Sequence, residues 1–130
     1  MTRFPERPPV AENLVAAYYP MVSLEIMEEV DASDEFGTVQ QPATRLTLAL
    51  HFCCIGANVA AHTSLESPWE YARKGAEAVD TNLDNLGKTW GLADVIRTKW
   101  QAAGPSVDES DVEQSFYVYS SAWEVIYGNA

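Results

Sequence analysis

The chain has 130 residues, 47% of them hydrophobic and 11% aromatic, with 8 Lys+Arg against 19 Asp+Glu for a net charge of −11. That length suits one domain around a single core. The apolar content exceeds that of a disordered acidic tail, which could not bury enough surface to offset chain entropy. The charge excludes unassisted binding to DNA, RNA or an anionic membrane, because such binding draws on Lys and Arg that neutralise phosphates.

The opening Met1-Thr2-Arg3-Phe4-Pro5-Glu6-Arg7-Pro8-Pro9 has no apolar run behind its charges, so it reads as an extended arm (1–9) and not as a secretory signal. Val10, Leu14, Ala17 and Tyr18 then suggest a short amphipathic helix closed by Pro20. Over 21–30 the period changes to two, with Val22, Leu24 and Ile26 alternating with Ser23, Glu25 and Met27, the pattern of a half-buried strand. Residues 31–43 are polar and acidic, broken by Gly37 and Pro42, and form a long loop. Loops of that length in a compact domain are usually functional.

From 44 to 54 alternation returns. Leu46, Leu48, Leu50 and Phe52 share one face, while Thr47, Ala49, His51 and Cys53 share the other, which we expect to be the less buried. Paired with 21–30, this strand makes an antiparallel ribbon. Cys53 and Cys54 are neighbours that point to opposite faces, so they read as thiols in a reducing compartment. No run of the roughly 20 apolar residues needed for a membrane span occurs, since Leu46–Ala61 contains His51 and Asn58.

Ser67-Pro68-Trp69-Glu70 is a helix start with a capping box, and Trp69, Ala72, Ala76, Val79, Leu83 and Leu86 form one apolar stripe up to Gly87. The spacing of Leu92, Val95, Ile96, Trp100 and Ala103 predicts a second helix, ending at Gly104-Pro105. After the acidic linker Val107–Asp111, the aromatic and β-branched residues of 115–127 favour a strand, although Phe116, Tyr119, Trp123 and Ile126 also fit a helix. The expected fold is a single α+β domain, 1–130, an antiparallel sheet of three to four strands with two or three helices packed on one face.

Chemistry-bearing residues are few. His51 and Cys53 share a strand face, but a metal site there would need further ligands, and a Cys-His catalytic pair would need a third, orienting group. The run Asp80-Thr81-Asn82-Leu83-Asp84 mimics a calcium loop but has Asn85 and Gly91 where Gly and Glu belong, and lies inside the strongest helix. No phosphate-cradling glycine motif is present. The expectation is a protein that is not an enzyme and holds no cofactor or metal.

Charge is distributed unevenly. Between Pro8 and Thr44 there are seven acids and no base, and after Lys99 five more acids and no base, whereas Arg45 to Lys99 is balanced. If the strands bearing those acids pair, one edge of the molecule is acidic. Such an edge solubilises, faces a basic partner, or lines a passage that DNA crosses without sticking.

The order of elements resembles the tail-terminator proteins of long-tailed bacteriophages, the minor tail protein U type, over about Glu12 to Tyr127. The likeness lies in Pro20-Met21-Val22-Ser23-Leu24 entering the first strand and Leu46-Thr47-Leu48-Ala49-Leu50 in the second. It continues in Leu92-Ala93-Asp94-Val95-Ile96 and in the closing Ala122-Trp123-Glu124-Val125-Ile126-Tyr127. The resemblance implies a structural virion protein, made in the host cytoplasm, that forms a ring, usually hexameric. Such a ring caps the tail tube, joins it to the head-side connector and passes DNA through an acidic lumen without specific binding, with no membrane involved. It implies a loop, here Asp31–Ala43, that orders on assembly, so Glu28, Glu29, Asp31, Asp34, Glu35 and Phe36 are the expected interface residues. The rival is an acidic inhibitor or immunity protein that blocks a basic nuclease or nucleic-acid-binding partner by charge mimicry; it would be a monomer or dimer.

Overall fold

A computed structural model describes residues 19–36, 42–60, 67–107, 110–111 and 115–128. The elements are strand β1 (Met21–Asp31), helix α1 (Ser33–Phe36), strand β2 (Ala43–Ile55), helix α2 (Gly56–Ala60), helix α3 (Pro68–Asp84), strand β3 (Val95–Pro105) and strand β4 (Phe116–Gly128). They make an α+β fold with one antiparallel sheet in the order β1-β2-β4-β3. The amphipathic helix expected over 10–18 and the arm 1–9 lie outside the described residues.

The expected ribbon of β1 and β2 is present, with Val22 opposite Phe52 and Leu24 opposite Leu50. The segment 115–127 is one long strand, and it lies inside the sheet between β2 and β3. Its aromatic and β-branched side chains are buried on both faces: Phe116, Tyr117, Val118, Trp123, Val125 and Ile126 are all in the core. The loop after β1 is not wholly irregular, since α1 occupies its first turn. Ala32 N–H donates to Ala43 O at 2.9 Å and Ser33 Oγ accepts from Ala43 N–H at 3.0 Å, which ties the two ends of the loop together.

The second predicted helix does not form. Residues 95–105 are β3, antiparallel to β4, with Arg97 opposite Ile126 and Trp100 opposite Trp123. The register slips between Val95 and Arg97 and again between Trp100 and Ala102. Each bulge inserts a residue and resets the alternation of faces, so the side chains on the helix-covered face fall at 95, 98, 100, 103 and 105. The interrupted alternation removes the period of two by which a strand is read from sequence. The β-branched Val95, Ile96 and Thr98 and the partner strand decide the outcome.

α3 forms as its sequence dictates. Ser67 caps it, accepting from Glu70 N–H at 3.1 Å, and Pro68 stands in the first turn. Ala72 and Ala76 face the sheet and are buried, and Gly87 takes the left-handed φ of +87° just beyond the helix end. The stripe ends earlier than expected, for Leu86 is exposed. The helix lies over β4 and β2, with Trp69 edge-on to Tyr117 at 5.2 Å. Asp80 clasps helix to sheet: its carboxylate accepts from Ser121 Oγ at 2.7 Å, Trp123 Nε1 at 2.9 Å and Trp100 Nε1 at 3.1 Å. A second core on the opposite face joins Tyr19, Cys53, Ile55, Phe116 and Val118, and burial pushes the Tyr19 hydroxyl pKa up to about 12.

Gly75 packs against the Phe52 ring of β2, and a Cβ there would stand 2.2 Å from Phe52 Cζ. In an open helix Gly→Ala stabilises by about 1 kcal/mol. Here the clash dominates, and Gly75→Ala should lower stability by about 1–2 kcal/mol. Thermal unfolding checks this; a raised Tm would contradict the packing described.

Candidate interface

In the order β1-β2-β4-β3 the outer strands are β1 and β3. Along β3 the edge is blunted, because the Lys88 carbonyl accepts the Thr98 N–H at 2.6 Å and its Oγ1–H at 2.9 Å. No described strand pairs with the outer side of β1. Because α3 packs over β2 and β4, it also leaves the β1 side chains on its own side of the sheet uncovered: Leu24 is 38% exposed and Ile26 61%. Met27, at the bulge between Ile26 and Glu28, is 59% exposed. A long, open, apolar edge is a template for pairing with another chain unless something covers it.

The acids expected at an interface follow this strip, but not all of them are spare. Glu28 and Asp34 are exposed. Glu29 accepts from the Tyr127 hydroxyl at 2.6 Å, and this bond raises the Tyr127 pKa. Asp31 accepts from Ser33 Oγ and, at 3.0 Å, from Ser33 N–H, capping α1; these bonds lower its pKa. The sign follows from that direction: its stabilisation is present above the ordinary carboxylate range and is lost as pH falls through the depressed folded value. Phe36 closes α1, and its side chain lies outside the described residues.

Glu35 begins a ladder that crosses the sheet. It pairs with Arg45 on β2 at 2.7 Å, Arg45 Nε lies 3.3 Å from Glu124 on β4, and Arg97 on β3 donates to Glu124 at 3.0 Å. The acidic strands thus do not pair with each other to form one acidic edge. β2 runs between β1 and β4, and Arg45 and Arg97 compensate Glu35 and Glu124. Counting charge by segment misses this because the pairs are long-range in sequence and set by register. The exposed apolar strip was equally hidden: its residues look like core until the position of α3 is known.

The face of β2 that bears His51 and Cys53 is not the less buried one. His51 is 5% exposed and Cys53 0%, because the second core covers that face. A carboxylate accepts, so His51 Nε2–H donates to Glu25 Oε1 at 3.0 Å, and Nδ1 is hydrogen-bonded to the Ser120 hydroxyl at 2.6 Å. These three residues lie side by side on β1, β2 and β4 as a satisfied polar pair of bonds inside the sheet face. Next to His51 in the register, Ser23 is buried and its Oγ finds no hydrogen-bond partner among the described residues. Cys53 and Cys54 are free thiols on opposite faces, with the Cys54 pKa pushed up to about 11 by burial, and no group of three potential metal ligands occurs among the described residues.

Comparison with protein-family models gives no match, and comparison with curated proteins gives none either. Among the described residues no helix is long and apolar enough to cross a membrane.

Two substitutions separate compensated from uncompensated polarity. Glu124→Gln removes the carboxylate that Arg45 and Arg97 share, while Arg45 keeps Glu35, and should cost about 1 kcal/mol. Ser23→Ala removes an unpartnered buried hydroxyl and should be neutral or stabilise by about 1 kcal/mol. Denaturant unfolding of both variants checks the opposite signs; a destabilised Ser23→Ala would mean that its hydroxyl is bonded.

Proposed function

We propose that the protein is a structural virion component of the tail-terminator type, assembling head to tail into a ring, most simply a hexamer, at the end of a phage tail tube. The single observation that carries this reading is the open β1 edge, with Leu24, Ile26 and Met27 exposed on a strand that no described element covers. A surface of that kind in a folded domain calls for a partner. The opposite edge supplies a different surface, the second half of β3, so a contact between β1 of one copy and β3 of the next is heterologous and closes a ring if its rotation allows.

Charge supports the same assembly. Glu28 and Asp34 flank the apolar strip of β1, while Lys99 lies exposed on β3. Opposite charges at the rim would fix orientation and register more than affinity. Carboxylates left over would face the lumen and repel DNA phosphates, and the tube protein and the head-side connector would take the two ends of the ring. The acidic-inhibitor reading draws less support, because Glu35 and Glu124 are already paired with the chain's own arginines.

Ile26→Lys should weaken self-association by tenfold or more while leaving the domain folded, since its side chain is 61% exposed. Phe36→Asp should weaken it too if the loop belongs to the interface. Light scattering after size-exclusion chromatography over a range of concentrations, with circular dichroism as the folding control, checks both. Unchanged oligomers of Ile26→Lys would remove β1 from the interface, and a strict monomer that no tail tube converts to rings would remove the reading itself.

A further inference from the structure

Between the second half of α3 and β3 lies a groove of about 560 Å³, on the helix-covered side of the sheet, whose walls have unlike chemistry. One wall is aromatic, made of Trp100, Tyr119 and Trp123; the other carries Asp80 and Asp84, together with Glu77, whose charge Arg73 already compensates. Positions 77, 80 and 84 share one face of the helix, spaced three and four apart. No basic residue lines the groove among the described residues.

The carboxylates alone would not define a site. The aromatic wall adds a held geometry, because Asp80 fixes both indoles through Trp100 Nε1 and Trp123 Nε1, and Trp100 still leaves 47% of its surface open. All three groups that bond Asp80 are neutral donors, so its negative charge is oriented but not cancelled. Asp84 stands in the last turn of α3, where a carboxylate opposes the helix dipole and no basic residue offsets it. Stability would favour a cation in the place that this acid occupies.

We propose that this groove binds an arginine side chain presented by an extended segment of a partner protein. A guanidinium is planar, so it can stack on the Trp100 indole while its in-plane N–H fork reaches Asp84. A lysine ammonium satisfies only one of these contacts well. The partner is assigned as a different polypeptide, because every arginine among the described residues, Arg45, Arg73 and Arg97, is already engaged by its own carboxylates in a second folded copy. The site is separate from the β1 edge, but Trp100 and Ala103 of its β3 wall adjoin the contact proposed for rings, so the test is run on the monomer.

The test is titration of the full-length protein with the peptide Ac-Gly-Arg-Gly-NH2, followed by amide and indole chemical shifts, with the citrulline peptide of the same sequence as the uncharged control. Saturable shifts confined to the second half of α3, to Trp100 and its neighbours on β3, and to Tyr119 and Trp123 on β4, absent with citrulline, are expected. Asp84→Asn and Trp100→Ala alter exposed groups and should keep the fold while weakening binding roughly five- to tenfold each. Equal response to citrulline, shifts elsewhere, or unchanged affinity in both variants would overturn the site. A peptide of residues 1–9, which carries Arg3 and Arg7, serves as a second probe. Tighter binding of it at the same residues would overturn the assignment to a different polypeptide in favour of a second copy; equal or weaker binding upholds it.

Discussion

The pairing of β2 with β4 is the constraint from which the rest of the molecule follows. The two strands, each of 13 residues, run antiparallel in unbroken register from Ala43 opposite Gly128 to Ile55 opposite Phe116. An unbroken register keeps every side chain of both strands on its assigned face, so one face presents Phe52, Tyr117 and Trp123 to α3 while the other presents Cys53, Phe116 and Val118 to a second core. Burial on both faces at the centre leaves β1 and β3 as the edges. Because one long helix spans less than four strands, the strand farthest from it keeps its apolar side chains in solvent. The exposed strip on β1 is thus a consequence of where the central pair sits.

The same geometry sorts the carboxylates. A chain at −11 would repel itself, yet register brings Arg45 and Arg97 to either side of Glu124 and spreads compensation over three strands. Other acids do local work: Asp31 caps α1, Glu29 takes the Tyr127 hydroxyl, Glu25 holds His51 and Asp80 locks two indoles. Among the described residues, carboxylates outside any ion pair include Glu28 and Asp34 beside the open edge and Asp84 in the groove. Negative charge is therefore a property of particular surfaces and not of the whole molecule.

Much of this was legible in the sequence wherever one physical signal dominated. The alternation of Leu46 to Phe52, the Ser67-Pro68 cap with its apolar stripe, and the aromatic density of 115–127 each specify their element without help from elsewhere. β3 was illegible because two bulges break its period of two, leaving Leu92, Val95, Ile96, Trp100 and Ala103 at helical spacings. The burial of His51 could not be read because its own strand says nothing about what covers each face. Of the residues expected at an interface, Glu28 and Asp34 are free to serve, whereas Glu29, Asp31 and Glu35 are held by Tyr127, Ser33 and Arg45. The apolar members of the strip, Leu24, Ile26 and Met27, look like ordinary core residues in sequence, since exposure depends on the reach of α3.

The central claim is that β1 is an edge meant for another chain. Amide hydrogen exchange, compared between dilute protein and protein concentrated or assembled on a tail tube, tests it most directly. If β1 is joined by a neighbour, the outward amides of Met21–Asp31 and those of the second half of β3 gain protection on assembly, while β2 and β4 stay slow throughout. Exchange of β1 that is identical in every state, including verified oligomers, would contradict the account.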